Sequence, residues 1–284
     1  MQVVDNTVAL RTRIKNWRDN NEVIAFVPTM GNLHEGHLSL VKKAKELADR
    51  IVVSIFVNPL QFNDKSDLEK YPRTLNDDIS LLSELDCDLV FTPDDSVMYP
   101  RGMSEQTSVH VPGMEDKLCG LGRPGHFDGV ATVVTKLFNM VQADIAVFGE
   151  KDYQQLLLIK KLVADLNISI DIVGAPTRRE DNGLAMSSRN NLLTEKQRLQ
   201  APMLYQQLMT IRTALENGET DLDALTQAAQ TQLKEAGFEP EYLDIRRADD
   251  LQLAEAGEKT SLRILAAARL GSVRLIDNIL CDLA

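Results

Sequence analysis

Two histidines, His34 and His37, lie in the run PTMGNLHEGH, where a short apolar segment gives way to helical spacing. Being three residues apart, they share one face of the predicted helix. A helix N-terminus offers backbone N–H groups and the positive end of the dipole, so a phosphate chain can rest there while both imidazoles donate to its oxygens. This arrangement suits the departure of pyrophosphate from ATP, although a histidine pair at this spacing is also typical of a polar surface.

The segment HEGH also begins like the helix of a zinc protease, but that motif needs its histidines four residues apart with the glutamate beside them. Here the spacing is one residue short. The remaining histidines, His110 and His126, have no cysteine or histidine partner at metal-ligand spacing. The sequence therefore does not favour a zinc site.

Two further runs carry groups that bind nucleotides. In FGEKDYQQ, Lys151 has the charge to neutralise a phosphate, and Asp152 can orient a ribose or cap the following helix. In MSSRN, two hydroxyls and the guanidinium of Arg189 are suited to clasping a triphosphate from a mobile loop. Considered alone, Asp152 is explained by helix capping. The run MSSRN, considered alone, is explained by an ordinary serine-rich turn.

Polar groups for an acid and a metal lie between these runs. Gln61, in NPLQFN, has the paired amide donor and acceptor that suit a hydroxy acid. In YPRTLNDD, Asp77 or Asp78 can steer ATP-bound Mg²⁺, usually through water because Mg²⁺ gives up its hydration shell reluctantly. Both carboxylates also favour a helix N-terminus, so a structural role stays open for them.

Apolar runs and helical periodicities indicate the elements that position these groups. The predicted strands are residues 23–29, 51–57, 88–93, 144–149 and 168–176, with helices between them that include residues 38–48, 75–85, 129–141 and 153–166. This alternation predicts an α/β fold with a Rossmann-like, doubly wound, mostly parallel sheet. Ligands in such folds bind at the carboxyl ends of the strands, where PTMGNLHEGH, NPLQFN and FGEKDYQQ lie.

After Pro176 the pattern changes. Two long helices, residues 193–218 and 222–237, precede strands at residues 242–247, 260–270 and 273–280, the last two joined by Gly271 and Ser272 as an antiparallel hairpin. We therefore predict a catalytic domain over residues 1–176 and a second, smaller α+β domain over residues 177–284.

Composition narrows the class of protein. The net charge of −11 disfavours nucleic acid or an anionic membrane as a partner. No stretch of about 18 apolar residues and no signal-peptide pattern occurs, so a cytoplasmic enzyme is expected. Three widely spaced cysteines indicate neither disulfides nor a zinc ribbon, and are expected to be reduced and buried.

Six runs occur in the order typical of one family: PTMGNLHEGH, VNPLQF, YPRTLNDD, GRPGHFDGV, FGEKDYQQ and MSSRN. Over nearly the whole chain the sequence resembles the pantothenate synthetases (pantoate–β-alanine ligases) of the HxGH nucleotidyltransferase-like superfamily. The resemblance implies a two-step ligase reaction. Pantoate attacks the α-phosphorus of Mg-ATP to give pantoyl adenylate and pyrophosphate, and β-alanine then attacks the acyl carbon and expels AMP. A homodimer and a lid function for the second domain are implied as well.

The resemblance also implies roles for individual residues. His34, His37 and Lys151 would be catalytic, with His37 the proton donor. Pantoate would be held by Gln61 and Gln155, and Asp77 would be the metal-linked carboxylate. The nucleotide-binding residues would be Met30, Gly31, Asn32, Leu33, His34, Glu35, Gly36, His37, Gly149, Glu150, Lys151, Asp152, Met186, Ser187, Ser188 and Arg189. Asn32 departs from the family pattern, which more often has a small residue there.

Two other functions share parts of this site. An adenylyltransferase would leave AMP on a phosphorylated acceptor, but the uncharged Gln61 and Gln155 suit a small hydroxy acid better than a phosphate. A regulatory nucleotide-binding module would have lost some phosphate-binding groups, yet both histidines, Lys151 and Arg189 are present.

Overall fold

The computed structural model describes residues 1–63 and 65–283. The chain divides into two compact units. The first comprises Met1–Glu150 and Gln154–Pro176, and the second comprises Thr177–Ala284 together with the three residues Lys151–Tyr153. Ala284, the last residue of the predicted second domain, lies outside the described residues.

A six-stranded sheet forms the centre of the first unit. Its strands are β1 (Gln2–Val4), β2 (Ile24–Thr29), β3 (Arg50–Ile55), β4 (Leu89–Phe91), β5 (Ile145–Gly149) and β6 (Asp171–Ala175). They lie in the order β1-β4-β3-β2-β5-β6, and each pairing is parallel. Helices precede and follow the strands: α1 (Thr7–Asp19), α2 (Glu35–Lys45), α3 (Lys65–Lys70), α4 (Leu75–Glu84), α5 (Asp95–Met98), α6 (His126–Val141) and α7 (Tyr153–Asp165).

Both faces of this sheet are covered, which explains its continuous apolar strands. Successive residues of a strand point to opposite faces. On β2, Val27 belongs to a buried cluster with Val41 of α2, whereas Phe26 meets Phe138 of α6 edge to face at 6.4 Å between ring centroids. The predicted Rossmann-like, doubly wound α/β class is therefore confirmed.

The second unit combines three helices with an antiparallel sheet. Its elements are α8 (Glu195–Gln200), α9 (Met203–Glu216), α10 (Leu222–Glu235), β7 (Glu239–Arg247), β8 (Ser261–Leu270) and β9 (Val273–Asp282). Strand β8 lies between β7 and β9, and it pairs antiparallel with both. The β8–β9 turn falls at Gly271 and Ser272 as predicted, and Gly271 has a φ of +61°, a value that glycine adopts without strain.

Three local predictions differ from the structure. Strand β1 and helix α1 were not predicted, although Asn6 caps α1 by accepting from the Ala9 backbone N–H. The helix predicted over residues 193–218 is broken between α8 and α9 at Pro202, because proline has no N–H to continue the helical hydrogen bonds. Cys87 and Cys281 are buried as free thiols, but Cys119 is only half-buried.

Candidate active site

Three of the polar runs begin where neighbouring strands end. β2, β3 and β5 are adjacent in the sheet, and they lead into the loop before His34, the segment Pro59–Gln61 and the turn Glu150–Asp152, respectively. Chain order runs from β2 through β3 to β4 on one side and from β5 to β6 on the other, with β1 added at the edge, so β2 and β5 flank the switch point of the sheet. A crevice at the carboxyl ends of the strands is the usual ligand site in this fold.

His34 and His37 cap helix α2 reciprocally. The His34 Nδ1 accepts from the Gly36 backbone N–H at 3.1 Å, and the His37 Nδ1 accepts from the His34 backbone N–H at 3.4 Å. The ring centroids lie 4.2 Å apart. Because each Nδ1 is an acceptor, the neutral rings carry their proton on Nε2, which makes both Nε2–H groups donors. The reciprocal cap thus also sets the donors that the predicted phosphate contacts need.

Asp78 fixes the loop that leads to these histidines. Its side chain is 1% exposed and accepts from the backbone N–H groups of Asn32 at 2.9 Å and Leu33 at 2.7 Å. Gly31 and Asn32 have φ values of +79° and +51°. A Cβ at Gly31 would lie 2.9 Å from Asp78 Oδ2, and asparagine tolerates the left-handed region, so both residue types suit the loop.

The two carboxylates of YPRTLNDD therefore have different surroundings. Asp77 is exposed in the first turn of α4. Asp78 is buried against residues 31–33, which lead to the two histidines and are called the histidine loop below. Helical periodicity carried this signal, because Asp78 lies four residues before buried Leu82 on the same face, whereas Asp77 is turned about 100° away. The Asp78 side chain anchors the backbone of the histidine loop, and this role was not predicted from the sequence.

Gln61 is oriented by a network of side chains. Its Oε1 accepts from Asn58 Nδ2 at 3.1 Å, and its Nε2 lies 3.1 Å from Met30 Sδ. Asn58 is itself buried, and Tyr99 donates to its Oδ1 at 2.6 Å. The structure thus brings Gln61 and Met30 together, while Asn58 and Tyr99 were not singled out from the sequence.

The backbone of Gln61 is held by the run GRPGHFDGV. The Gln61 carbonyl accepts from Arg123 at 3.2 Å and lies 2.8 Å from His126 Nδ1. His126 is buried at the start of α6. The presence of this run in the family pattern was the only sequence signal for these contacts, since they span 62 and 65 residues.

Gly129 allows α6 to approach the same segment. A Cβ at this position would lie 2.4 Å from the Leu60 carbonyl oxygen and 2.8 Å from the Gln61 nitrogen. Both contacts are with backbone, so the Gly129→Ala change must displace the segment or the helix. Overpacking of this kind costs about 1–3 kcal/mol in the free energy of unfolding.

Urea denaturation tests this expectation. The matched control is Gly122→Ala in the same run, where nothing lies within 4 Å of the added carbon. The control should stay within about 0.5 kcal/mol of the parent. Equal stability of the two variants would contradict the close approach of α6.

Gln154 and Gln155, like Asp78 and Asp77, are adjacent residues that differ in burial. Gln154 is buried, and its Nε2 donates to the carbonyls of Met114 and Lys117 at 2.9 and 3.0 Å. Gln155, the predicted substrate ligand, is half-buried on the next position of α7. Gln154 is therefore the residue that holds the loop of residues 114–119 in place. Gln155, one position further along the helix, projects in another direction.

In the second unit, the run MSSRN follows a short hairpin. Its two arms meet at the Arg179–Ala185 bridge, and Gly183 has a φ of +93° at the turn. The Ser187 hydroxyl then accepts from the Arg189 backbone N–H at 3.3 Å and caps the helical turn Ser188–Leu192. The predicted serine-rich turn is thus present, and it starts a short 3₁₀ helix.

Lys151 and Ser187 line one small cavity in this unit. Its volume is about 10 Å³, and buried Asn190 and Asp277 contribute to its wall. Asp277 forms a bidentate ion pair with Arg179, at 2.6 and 2.9 Å. Burial raises the pKa of Asp277 above its ordinary value, while Arg179 opposes that shift. Two predicted nucleotide ligands distant in sequence therefore share one polar environment.

His110 has carboxylate partners that spacing alone did not reveal. Its Nδ1 lies 2.9 Å from Asp128 and 3.9 Å from Glu115. The ligand atoms of all three lie within 4.8 Å of one another, and His110 and Glu115 are exposed. Cysteine and histidine spacing could not reveal this group, because two of its three members are carboxylates.

Within residues 1–63 and 65–283, no helix combines the length and the apolar character that crossing a membrane requires.

The doubly wound sheet and the polar loops at its switch point define an α/β protein of the Rossmann-like class. The family described as pantoate-beta-alanine ligase matches this chain over residues 2–280. The chain therefore belongs to the pantoate–β-alanine ligase family, as its motifs predicted. Members of this family are ligases that form an amide bond.

Individual relatives are similar to this chain over nearly their whole length. The chain is 56% identical to the pantothenate synthetase of Ectopseudomonas mendocina (strain ymp), over 100% of this chain and 99% of that protein. The structure of the pantothenate synthetase from Thermus thermophilus matches with a TM-score of 0.92 at 42% identity, covering 98% of this chain and 99% of that one. A pantoate-beta-alanine ligase from Francisella tularensis, complexed with beta-gamma ATP and beta-alanine, matches with a TM-score of 0.80 at 38% identity, covering 99% and 97%.

Proposed function

We propose that this chain catalyses the ATP-dependent condensation of (R)-pantoate with β-alanine to pantothenate, through a pantoyl adenylate, with release of AMP and pyrophosphate. The main observation in support of this proposal is the reciprocal capping of α2 by His34 and His37 at the switch point of the sheet. The centroids of the two rings lie 4.2 Å apart. A helix N-terminus with two imidazole donors is complementary to a polyphosphate.

The first step is the attack of the pantoate carboxylate on the α-phosphorus of ATP, which breaks the bond to pyrophosphate. His34 and His37 donate Nε2–H hydrogen bonds to the phosphates, and His37, the predicted proton donor, makes its hydrogen bond to the departing oxygen. Lys151 neutralises charge that develops in the transition state. Positioning and charge compensation supply the catalysis, so no covalent enzyme intermediate is required.

The nucleotide is proposed to bind through three segments: Met30 to His37, Gly149 to Asp152, and Met186 to Arg189. The first has its backbone fixed by Asp78. The last two include Lys151 and Ser187, which line one cavity. Closure of residues 177–284 as a lid would keep the acyl adenylate from water until the amine arrives.

Mg²⁺ is proposed to accompany ATP, with Asp77 as the nearby carboxylate. Asp77 is exposed at the N-terminus of α4, one residue before the anchor of the histidine loop. A solvated carboxylate at that position fits a hydrated Mg²⁺, which keeps several of its waters when bound. The ion supplies charge neutralisation on the triphosphate.

A homodimer and a cytoplasmic location complete the proposal, and both rest on the resemblance to the family. Light scattering after size-exclusion chromatography tests the dimer, since a mass near the 31.7 kDa of one chain would contradict it.

Product analysis tests the reaction. Purified protein is incubated with Mg-ATP, pantoate and β-alanine, omitting each in turn, while AMP, pyrophosphate and pantothenate are measured. AMP and pantothenate should form only in the complete mixture. Pyrophosphate without AMP, formed with a phosphorylated acceptor, would indicate an adenylyltransferase, and no turnover would indicate a nucleotide-binding module.

The Gln155→Ala change should chiefly weaken pantoate binding. An amide that pairs with both a hydroxyl and a carboxylate contributes two hydrogen bonds worth about 0.5–1.5 kcal/mol each, so the KM for pantoate should rise by roughly fivefold to 150-fold. Steady-state kinetics with pantoate and ATP varied separately measure the effect, and Gln227→Ala, an exposed glutamine on α10, is the control. A rise in the KM for ATP alone would show that Gln155 is not in the pantoate pocket.

A further inference from the structure

The three residues Lys151–Tyr153 are held by polar groups of the second unit. Asn278 on β9 donates from Nδ2 to the Lys151 carbonyl oxygen at 2.9 Å. Two residues further on, the Tyr153 hydroxyl donates to the Ala248 carbonyl oxygen at 2.8 Å. The segment that contains Lys151 is therefore anchored at both ends, by contacts to residues 127 and 95 positions away along the chain.

Asn278 is itself locked in one orientation. Its Oδ1 accepts from Arg263 Nε at 2.6 Å, which leaves its Nδ2 as the group directed toward Lys151. Arg263 and Asn278 are each only 4% exposed, and the Arg263 guanidinium stacks on the Tyr153 ring at 3.9 Å. A buried guanidinium with a fixed acceptor is rigid, because any rotation would leave a buried charge without its partner.

The residue before Asn278 supplies charge. Asp277 is buried, lines the same cavity as Lys151 and attracts the Lys151 ammonium electrostatically. The position of this carboxylate is fixed by the backbone N–H of Asn278, which donates to it, and by its ion pair with Arg179. A lysine has a flexible four-carbon stem, so its ammonium is well placed only if its backbone and its charge environment are both fixed.

We propose that Asn278 is a positioning residue for adenylation, which fixes the Lys151 backbone through its side-chain amide. This inference rests on the proposed function of Lys151 in the first half-reaction. The alternative is that Asn278 serves only the packing of β8 and β9, in which case its loss would affect both half-reactions alike.

The test variant is Asn278→Asp. It keeps the shape of the side chain and the acceptor for Arg263, but it removes the donor to the Lys151 carbonyl. The matched control is Gln197→Glu, which likewise keeps an acceptor, for the Thr194 backbone N–H, and removes the donor to the Leu270 carbonyl. Thermal unfolding of both variants measures the structural cost of losing such a bond.

Adenylation is measured as pantoate-dependent exchange of pyrophosphate into ATP, and the second half-reaction as turnover of supplied pantoyl adenylate with β-alanine. Asn278→Asp should slow adenylation by about tenfold to a hundredfold, the cost of a misplacement near 1 Å, and leave the second half-reaction at the level of the Gln197→Glu control. Asn278→Ala, which removes the donor without adding a charge, should show the same selectivity and serves if the Asp variant does not fold.

A double variant completes the test. Since Asn278 acts through Lys151, Asn278→Asp should add no further loss of adenylation to Lys151→Ala. Additive losses, or equal losses in both half-reactions, would overturn the inference while the function of Lys151 stands. If Lys151→Ala itself slows both half-reactions equally, the proposed function of Lys151 fails, and the positioning role fails with it.

Discussion

Lys151→Ala is expected to lose most of its pantoyl adenylate formation and still to convert supplied pantoyl adenylate and β-alanine into pantothenate. In the proposed reaction, the ammonium stabilises charge that develops on the phosphates only while pyrophosphate leaves. Removing one such preorganised group lowers the rate by on the order of a hundredfold to a thousandfold. Single-turnover experiments on each half-reaction measure the two rates separately.

Lys160→Ala is the control for charge, because Lys160 is an exposed lysine on α7. It should leave both half-reactions at the parent rate. Lys151→Arg should recover adenylation only in part, since a planar guanidinium does not replace a compact ammonium. Equal loss of both half-reactions in Lys151→Ala would show that the residue supports the fold or both steps, and the adenylation role would be withdrawn.

Asp78→Asn, on α4, should destabilise the histidine loop that this side chain anchors. Its carboxylate accepts from two backbone N–H groups and from the Thr74 hydroxyl. The amide replaces one accepting oxygen with an NH₂ group, so one of the two backbone N–H groups loses its hydrogen bond to this side chain at a cost of about 1–3 kcal/mol. Displacement of the loop by about 1 Å should also slow adenylation by about a hundredfold. Urea denaturation and pyrophosphate exchange measure the two effects.

Asp77→Asn is the matched control for stability, because the neighbouring carboxylate is exposed. Its free energy of unfolding should change by less than about 0.5 kcal/mol. The same variant tests the metal proposal, since its adenylation should require more Mg²⁺ for half-maximal rate. If Asp78→Asn were as stable and active as Asp77→Asn, the anchoring role of Asp78 would be wrong.

The sequence by itself determined the architecture of the first unit and the family. Apolar runs such as residues 23–29 and 51–57 are local signals, because a strand covered on both faces needs apolar side chains at successive positions. The six ordered runs identified the family for a similar reason, since binding and loop geometry require particular residue types at fixed short spacings. The broken helix at Pro202 was also predictable in principle, because proline acts on its own turn.

Only the tertiary structure decided what the buried polar residues contact. Asp78 rather than Asp77 meets the histidine loop 45 residues away, and Asn278 meets the Lys151 carbonyl 127 residues away. These contacts depend on how whole helices and strands pack, because helical periodicity gives the face on which a residue lies but not the distant group that it meets. The sequence thus specified the chemical groups of this protein, while long-range packing decided which of them hold the others in place.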